Sequence, residues 1–204
     1  MKKITFLTLL LLALNANSLF SKTITVHPGE KLQAAIHSAR PGDTILLKSG
    51  THITKKDIII RSKTNLTIKG EKKAKIVCDN PDTAVISIIS SRNIQIINIF
   101  ATHREPENVS ACTGSVILIY DCKGYVKIDK CDLNGCGSIG VEAFNSEKIQ
   151  ITNSFIHNNN WAGIVVKRIK KLFVQNCIIV NNNNSPFEID QHTNITKKDN
   201  IVRN

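Results

Sequence analysis

Pairs of apolar residues separated by one position recur along the chain: Leu66/Ile68, Ile94/Ile96, Val126/Ile128, Ile149/Ile151 and Leu172/Val174, with Ile195 opening a sixth. The last three steps between pairs are 23 residues each, and the two before them are 28 and 32. A constant period with a few longer steps is the pattern of a solenoid whose coils share one core and differ in loop insertions.

Each repeat has the same internal order. A short alternating segment such as VEAF (141–144) is followed by a second such as KIQIT (148–152), then by a corner at Asn98, Lys130, Asn153 or Asn176. A third segment places Cys131/Leu133, Ser154/Ile156 or Cys177/Ile179 inward. Alternation in runs this short specifies strands. Three strands per 23 residues, with no helix between them, stack as coils at about 4.8 Å per step. The expected fold is therefore all-β, a parallel β-helix of about six coils and three parallel sheets. A corner side chain that is buried needs partners, so Asn98, Asn153 and Asn176 are expected to form a buried ladder, with Lys130 pointing out of a slightly different turn. The runs 158–160 and 181–184 fall at the next corner, where Asn tolerates left-handed backbone.

An open solenoid end exposes core and requires a cap. Leu32, Ala35, Ile36 and Ala39 lie on one face of a short helix expected over 30–39, which Pro41-Gly42 stops. At the other end, Lys197 stands in the column of Ile68, Ile96, Ile128, Ile151 and Val174. The pattern thus places the β-helix over 22–195 and a polar tail over 196–204.

The 204 residues suit one domain. Lys2 and Lys3 precede an apolar run from Ile4 to Leu14, with small residues placed for cleavage after Ser18 or Ser21. That is the grammar of a secretory signal peptide (1–21), and the run is short of the roughly 20 residues a membrane span needs. The mature chain is expected to be exported, to the periplasm or medium, without stable membrane insertion. Its formal charge falls from +11 to +9 without the two lysines. Such a basic balance favours an acidic partner, but also simply keeps a surface solvated. Aromatics at 5% are too sparse for base-stacking platforms, so nucleic acid is not expected.

The segment VHPGEKLQAAIHSARPGDTILLKSGT (26–51), followed by coils of the type NSFIHNN, resembles the right-handed parallel β-helix proteins of the pectin-lyase-like superfamily. That group includes polysaccharide lyases, hydrolases and epimerases as well as carbohydrate-binding and sugar-hydrolase repeat proteins. The resemblance implies a ligand along the outside of one sheet, and Ca²⁺ if the chain is a lyase; otherwise no cofactor is expected. It does not extend to catalysis. The Trp-x-Asp-His of pectate lyases, the paired aspartates and Gly-His-Gly of polygalacturonases, and the Asp-Pro-His-Asp of alginate epimerases are all missing, and EIDQH (188–192) is none of these.

Steps of 23 through the first strand put Ile119, Glu142, Val165 and Glu188 in one outward column and Asp121, Phe144, Lys167 and Asp190 in its neighbour. Phe144 can stack on a pyranose ring, Lys167 can meet a carboxylate, and the acids Glu142, Glu188 and Asp190 can accept sugar hydroxyls; charged residues on an exposed strand are equally ordinary solvated surface. The long 32-residue step carries an insertion, 101–114, with His103, Arg104, Glu105 and Glu107 on a loop; Arg104 joins the candidate binding set. The histidines 103, 157 and 192 lack metal-ligand spacing. Cys131 and Cys177 share an inward column two coils apart, about 9.6 Å, too far for a disulfide, and read as small buried hydrophobes. Cys112 with Cys122, or Cys122 with Cys136, remain as candidate pairs. Two functional readings stand: an exported β-helix that binds, and in one version cleaves, an acidic polysaccharide; or a non-catalytic periplasmic or cell-surface scaffold.

Overall fold

The structure is a computed structural model, described for residues 21–72, 74–104, 112–135 and 137–203. The expected signal peptide lies almost wholly outside the described residues.

Strand β1 (Thr23–Val26) leads into the only helix among the described residues, α1 (Leu32–Ser38), and then into the coils. The first three are β2 (Thr44–Leu47), β3 (Gly50–Thr54), β4 (Ile58–Arg61); β5 (Thr67–Gly70), β6 (Ala74–Cys78), β7 (Ile86–Ile89); and β8 (Arg92–Ile97), β9 (Phe100–His103), β10 (Ile117–Tyr120). Next come β11 (Lys123–Asp129), β12 (Asp132–Asn134), β13 (Ile139–Phe144) and β14 (Lys148–Thr152), β15 (Phe155–His157), β16 (Ala162–Lys167). The last are β17 (Lys171–Gln175), β18 (Ile178–Val180), β19 (Ser185–Ile189), β20 (Asn194–Lys198) and β21 (Ile201–Val202).

β1 pairs in parallel with β2, and from β2 on every third strand pairs in parallel. Sheet A runs β1-β2-β5-β8-β11-β14-β17-β20, sheet B β3-β6-β9-β12-β15-β18-β21, and sheet C β4-β7-β10-β13-β16-β19. The result is a three-sheet parallel β-helix of about seven turns. The pairs found in the sequence hold their register: Ile68 faces Ile96, then Ile128, Ile151 and Val174 on successive rungs. One coil precedes them, because Ile45 joins the same column through Ile68. These side chains are at most 1% exposed, and each contributes roughly 1.5–3 kcal/mol by burial.

Helix α1 starts two residues later than expected. Glu30 instead closes the preceding turn, its carboxylate accepting the His27 amide at 2.6 Å. The helix docks against β4, the open edge of sheet C. Gln33 Nε2 donates to the Ile59 carbonyl at 2.9 Å and Gln33 Oε1 accepts the Ile59 amide at 2.8 Å. One side chain thereby takes the place of a missing strand. Past residue 195 the chain keeps pairing as β20 and β21, largely exposed. Lys197 does fall in the core column, and its Nζ lies over the Phe187 ring at 3.9 Å. An inward lysine of this kind discourages strand addition at an open edge.

The corner after sheet A differs from its expectation. Asn98, Lys130, Asn153, Asn176 and Asp199 all adopt φ between +52° and +56°. The column is selected for left-handed backbone, which Asn adopts at low cost, and not for burial: Asn153 and Asn176 are exposed and only 3.4 Å apart at their amide atoms. Lys130 makes the same turn as its neighbours. The buried ladder sits at the following corner instead. Asn159 and Asn182 are each 1% exposed, and Asn182 Oδ1 accepts both the Asn159 amide (3.2 Å) and Asn159 Nδ2 (2.8 Å). Glycine makes room for it: a Cβ on Gly163 would stand 2.7 Å from the Pro186 carbonyl and 3.1 Å from Asn182 Nδ2. Beside that ladder, Asn158 and Asn181 supply the left-handed turns expected of them.

Cys131 and Cys177 are free and buried, as anticipated. Burial pushes the Cys131 thiol up to about 12. Cys122 is also a free buried thiol, so neither proposed pairing involving it forms. Cys112 is disulfide-bonded, and Cys136 lies outside the described residues.

Candidate functional site

The outward residues of sheet C form two columns. Glu142 pairs with Val165, which pairs with Glu188, as the repeat predicts. Phe144 pairs with Lys167. One coil earlier the register departs by one residue: Leu118 faces Glu142 and Tyr120 faces Phe144, while Ile119 is buried in the core. Ile119 and Asp121 therefore do not belong to these columns. The cause is a bulge in β11, where Lys123 pairs with Arg92 but Val126 with Ile94, so three residues span what two span in β8. Gly124 takes φ +63° there, and a Cβ would lie 2.1 Å from Asn93 Oδ1.

The corrected face is richer than the sequence suggested. Tyr120 is 46% exposed and stands beside the half-buried Phe144 on the next rung. Trp161, 49% exposed, donates its indole N–H to Glu188 Oε1 at 2.7 Å, and Asn184 Nδ2 approaches the same oxygen at 3.3 Å. The Ser115 hydroxyl donates to Glu142 Oε2. Tyr120, Trp161 and Ser115 went unnoticed in the sequence; the extra residue at Lys123-Gly124 was the one available signal for Tyr120.

Two candidates leave the set. Asp190 is turned into the corner, where Thr193 Oγ1 and the Arg168 amide donate to it and hold its carboxyl below the usual range. Arg104 is on another side of the molecule. Because His103 still pairs with Cys78 inside β9, the chain leaves from sheet B at Arg104, whose Nε reaches Asp79 Oδ1 at 2.7 Å. His103 is not on a loop: it is 2% exposed and hydrogen-bonds the Thr83 carbonyl at 2.7 Å. Burial lowers its pKa from the ordinary histidine value. Glu105 and Glu107 lie outside the described residues.

The acids do not fit a Ca²⁺ site. Glu142 and Glu188 are two rungs, about 9.6 Å, apart along the sheet, whereas the ion gathers roughly six to eight oxygens in one sphere. Among the described residues no three His, Cys, Asp or Glu side chains group as metal ligands, and no helix is long and apolar enough to cross a membrane.

Three parallel sheets stacked rung on rung make the chain a parallel β-helix. Residues 84–204 match the family model described as right handed beta helix region, and the chain belongs to that family. No curated protein matches by sequence. Among solved structures, a chain from Parabacteroides merdae ATCC 43184 proposed to be a glycosyl hydrolase superposes with a TM-score of 0.65 at 18% identity, covering 79% of this chain and 83% of its own. Pectate lyase Pel9A superposes with a TM-score of 0.62 at 13% identity over 88% of this chain. This chain spans only 53% of that lyase.

Proposed function

We propose that the protein is an exported polysaccharide-binding β-helix whose ligand lies along the outer face of sheet C. The observation that carries this reading is the pairing of Tyr120 with Phe144 on adjacent rungs, followed by Lys167 on the next, with the carboxylate of Glu142 on the Phe144 strand and that of the Trp161-braced Glu188 two rungs further along. Aromatic faces stack on sugar rings, and carboxylates accept sugar hydroxyls. Rungs about 4.8 Å apart repeat those contacts along an extended polymer. The two structural neighbours, a chain proposed to be a glycosyl hydrolase and a pectate lyase, agree with a sugar polymer. Two carboxylates against one ammonium suit hydroxyl-rich sugars better than a polyanion on this face.

The test is a binding screen of neutral oligosaccharides by calorimetry. Phe144→Ala and Tyr120→Ala should each weaken binding about fivefold or more while melting changes little. Unchanged affinity in both variants would remove sheet C as the site. Export is tested separately: the mature N-terminus should be Leu19 or Lys22. Cleavage before Lys22 leaves its free amine at the position that now donates to Asp43 Oδ1 at 3.0 Å.

A further inference from the structure

Sheet A presents a face of opposite character to sheet C. Its outward positions carry Lys127 on β11, Lys148 on β14, Lys171 on β17 and Lys198 on β20. Among the described outward residues of these strands the only acid is Asp129. It is already engaged, accepting from Thr152 Oγ1 at 2.6 Å and Asn153 Nδ2 at 2.8 Å, with Lys127 Nζ at 3.6 Å. Lys148 and Lys171 face one another directly across neighbouring parallel strands. Both are exposed, and neither forms an ion pair among the described residues. Like charges opposed on adjacent strands are mutually destabilising, so the pair is a cost that an anion placed between the ammonium groups would remove. The two lysines border a shallow depression that also includes Gln150, Phe173 and Thr196. Phe173 shares a column with Lys127, Gln150 and Thr196, which puts one aromatic face amid amide and hydroxyl groups.

We infer that the outer face of sheet A docks a linear carboxylated polysaccharide, one uronate per sugar ring, running along the helix axis. The lysines neutralise carboxylates repeating near the rung spacing of about 4.8 Å, Phe173 supports a ring, and Gln150 and Thr196 meet hydroxyls. Two half-buried aromatics, Tyr125 on β11 and Phe173 two rungs on, are too few for a nucleic acid, which stacks successive bases on several. A membrane surface would call for exposed apolar anchors, and Phe173 is half-buried. The face stands apart from sheet C, so the molecule carries two surfaces of different charge preference, and this one holds whether or not sheet C binds sugar.

Polygalacturonate is the probe, with binding measured by calorimetry on the full protein at low and at physiological ionic strength. The parent should bind it, and more weakly as salt rises. Lys148→Gln combined with Lys171→Gln should bind roughly tenfold more weakly at low salt with an unchanged melt, and Lys171→Gln alone should show a smaller loss in the same direction. Lys75→Gln, on sheet B, should leave polygalacturonate affinity intact. A parent that ignores polygalacturonate, lysine variants that bind like the parent, or a parent that prefers single-stranded DNA or anionic vesicles at equal salt would each overturn the inference. Loss through Phe144→Ala alone would move the acidic ligand to sheet C.

Discussion

Asn182→Ala separates the two asparagine columns by what each does physically. Asn182 Oδ1 accepts the Asn159 amide and Nδ2, and its own Nδ2 donates to the Ile156 and Val180 carbonyls, each at 3.2 Å. Alanine leaves the Asn159 amide without that acceptor in a site 1% exposed. An orphaned buried polar group costs about 1–3 kcal/mol, and with more than one group affected and a small void left behind the total is roughly 3–5 kcal/mol. That is a large part of the ~5–15 kcal/mol available to a typical domain. Asn176→Ala differs in kind: it gives up an exposed 3.4 Å contact and forces alanine to φ +54°, worth about 1–2 kcal/mol. Asn176→Gly should recover most of that. Urea unfolding of the three variants reads the difference in midpoints. If Asn176→Ala proves as damaging as Asn182→Ala, or glycine fails to rescue it, the division into a buried ladder and a left-handed column is wrong.

Ile151→Asp buries a charge between Ile128 and Val174 and should abolish the cooperative melt, whereas Gln150→Asp, one residue along and facing out, should shift it little; similar melts would contradict the register. Gln33→Ala frees the Ile59 amide and carbonyl at the edge of sheet C and should cost about 1–2 kcal/mol, with faster hydrogen exchange at Ile59; unaltered exchange there would show that the helix caps by other means. Burial alone would raise the Asp129 carboxyl, but Thr152, Asn153 and Lys127 hold it below the usual range. Its stabilisation is therefore in place above about pH 3.9 and is lost as pH falls through the lower folded value. Asp129→Asn should melt lower than the parent at pH 7 yet lose less on acidification; parallel pH curves would show that Asp129 does not supply this term.

The inward columns were legible because recurring apolar alternation has one physical reading: Ile128, Ile151 and Val174 fell where the count of 23 placed them, and Ile68 and Ile96 joined the same column across the longer steps of 28 and 32. The corners were half legible. A run of asparagines marks a turn, but letters do not tell a side chain needed for left-handed backbone, as at Asn153, from one needed for buried hydrogen bonds, as at Asn182. The outer face was the least legible part. A count that is harmless in the core moves a side chain from face to core with every slip of one, and the bulge at Gly124 exchanged Ile119 for Leu118 and brought Tyr120 into line with Phe144. Arg104 was misplaced for a related reason: β9 extends through His103, and sequence carries no mark of where pairing with β6 stops.

That same bulge acts as an expansion joint at the start of β11. Sheet A regains its phase at Val126, two residues after Gly124, while sheet C one strand earlier remains offset. A single inserted or deleted residue at such a joint can therefore re-letter one wall of the prism and leave the other two as they were. For a molecule with a lysine-rich wall on sheet A and an aromatic and carboxylate wall on sheet C, each wall can change its vocabulary independently, with the shared interior untouched.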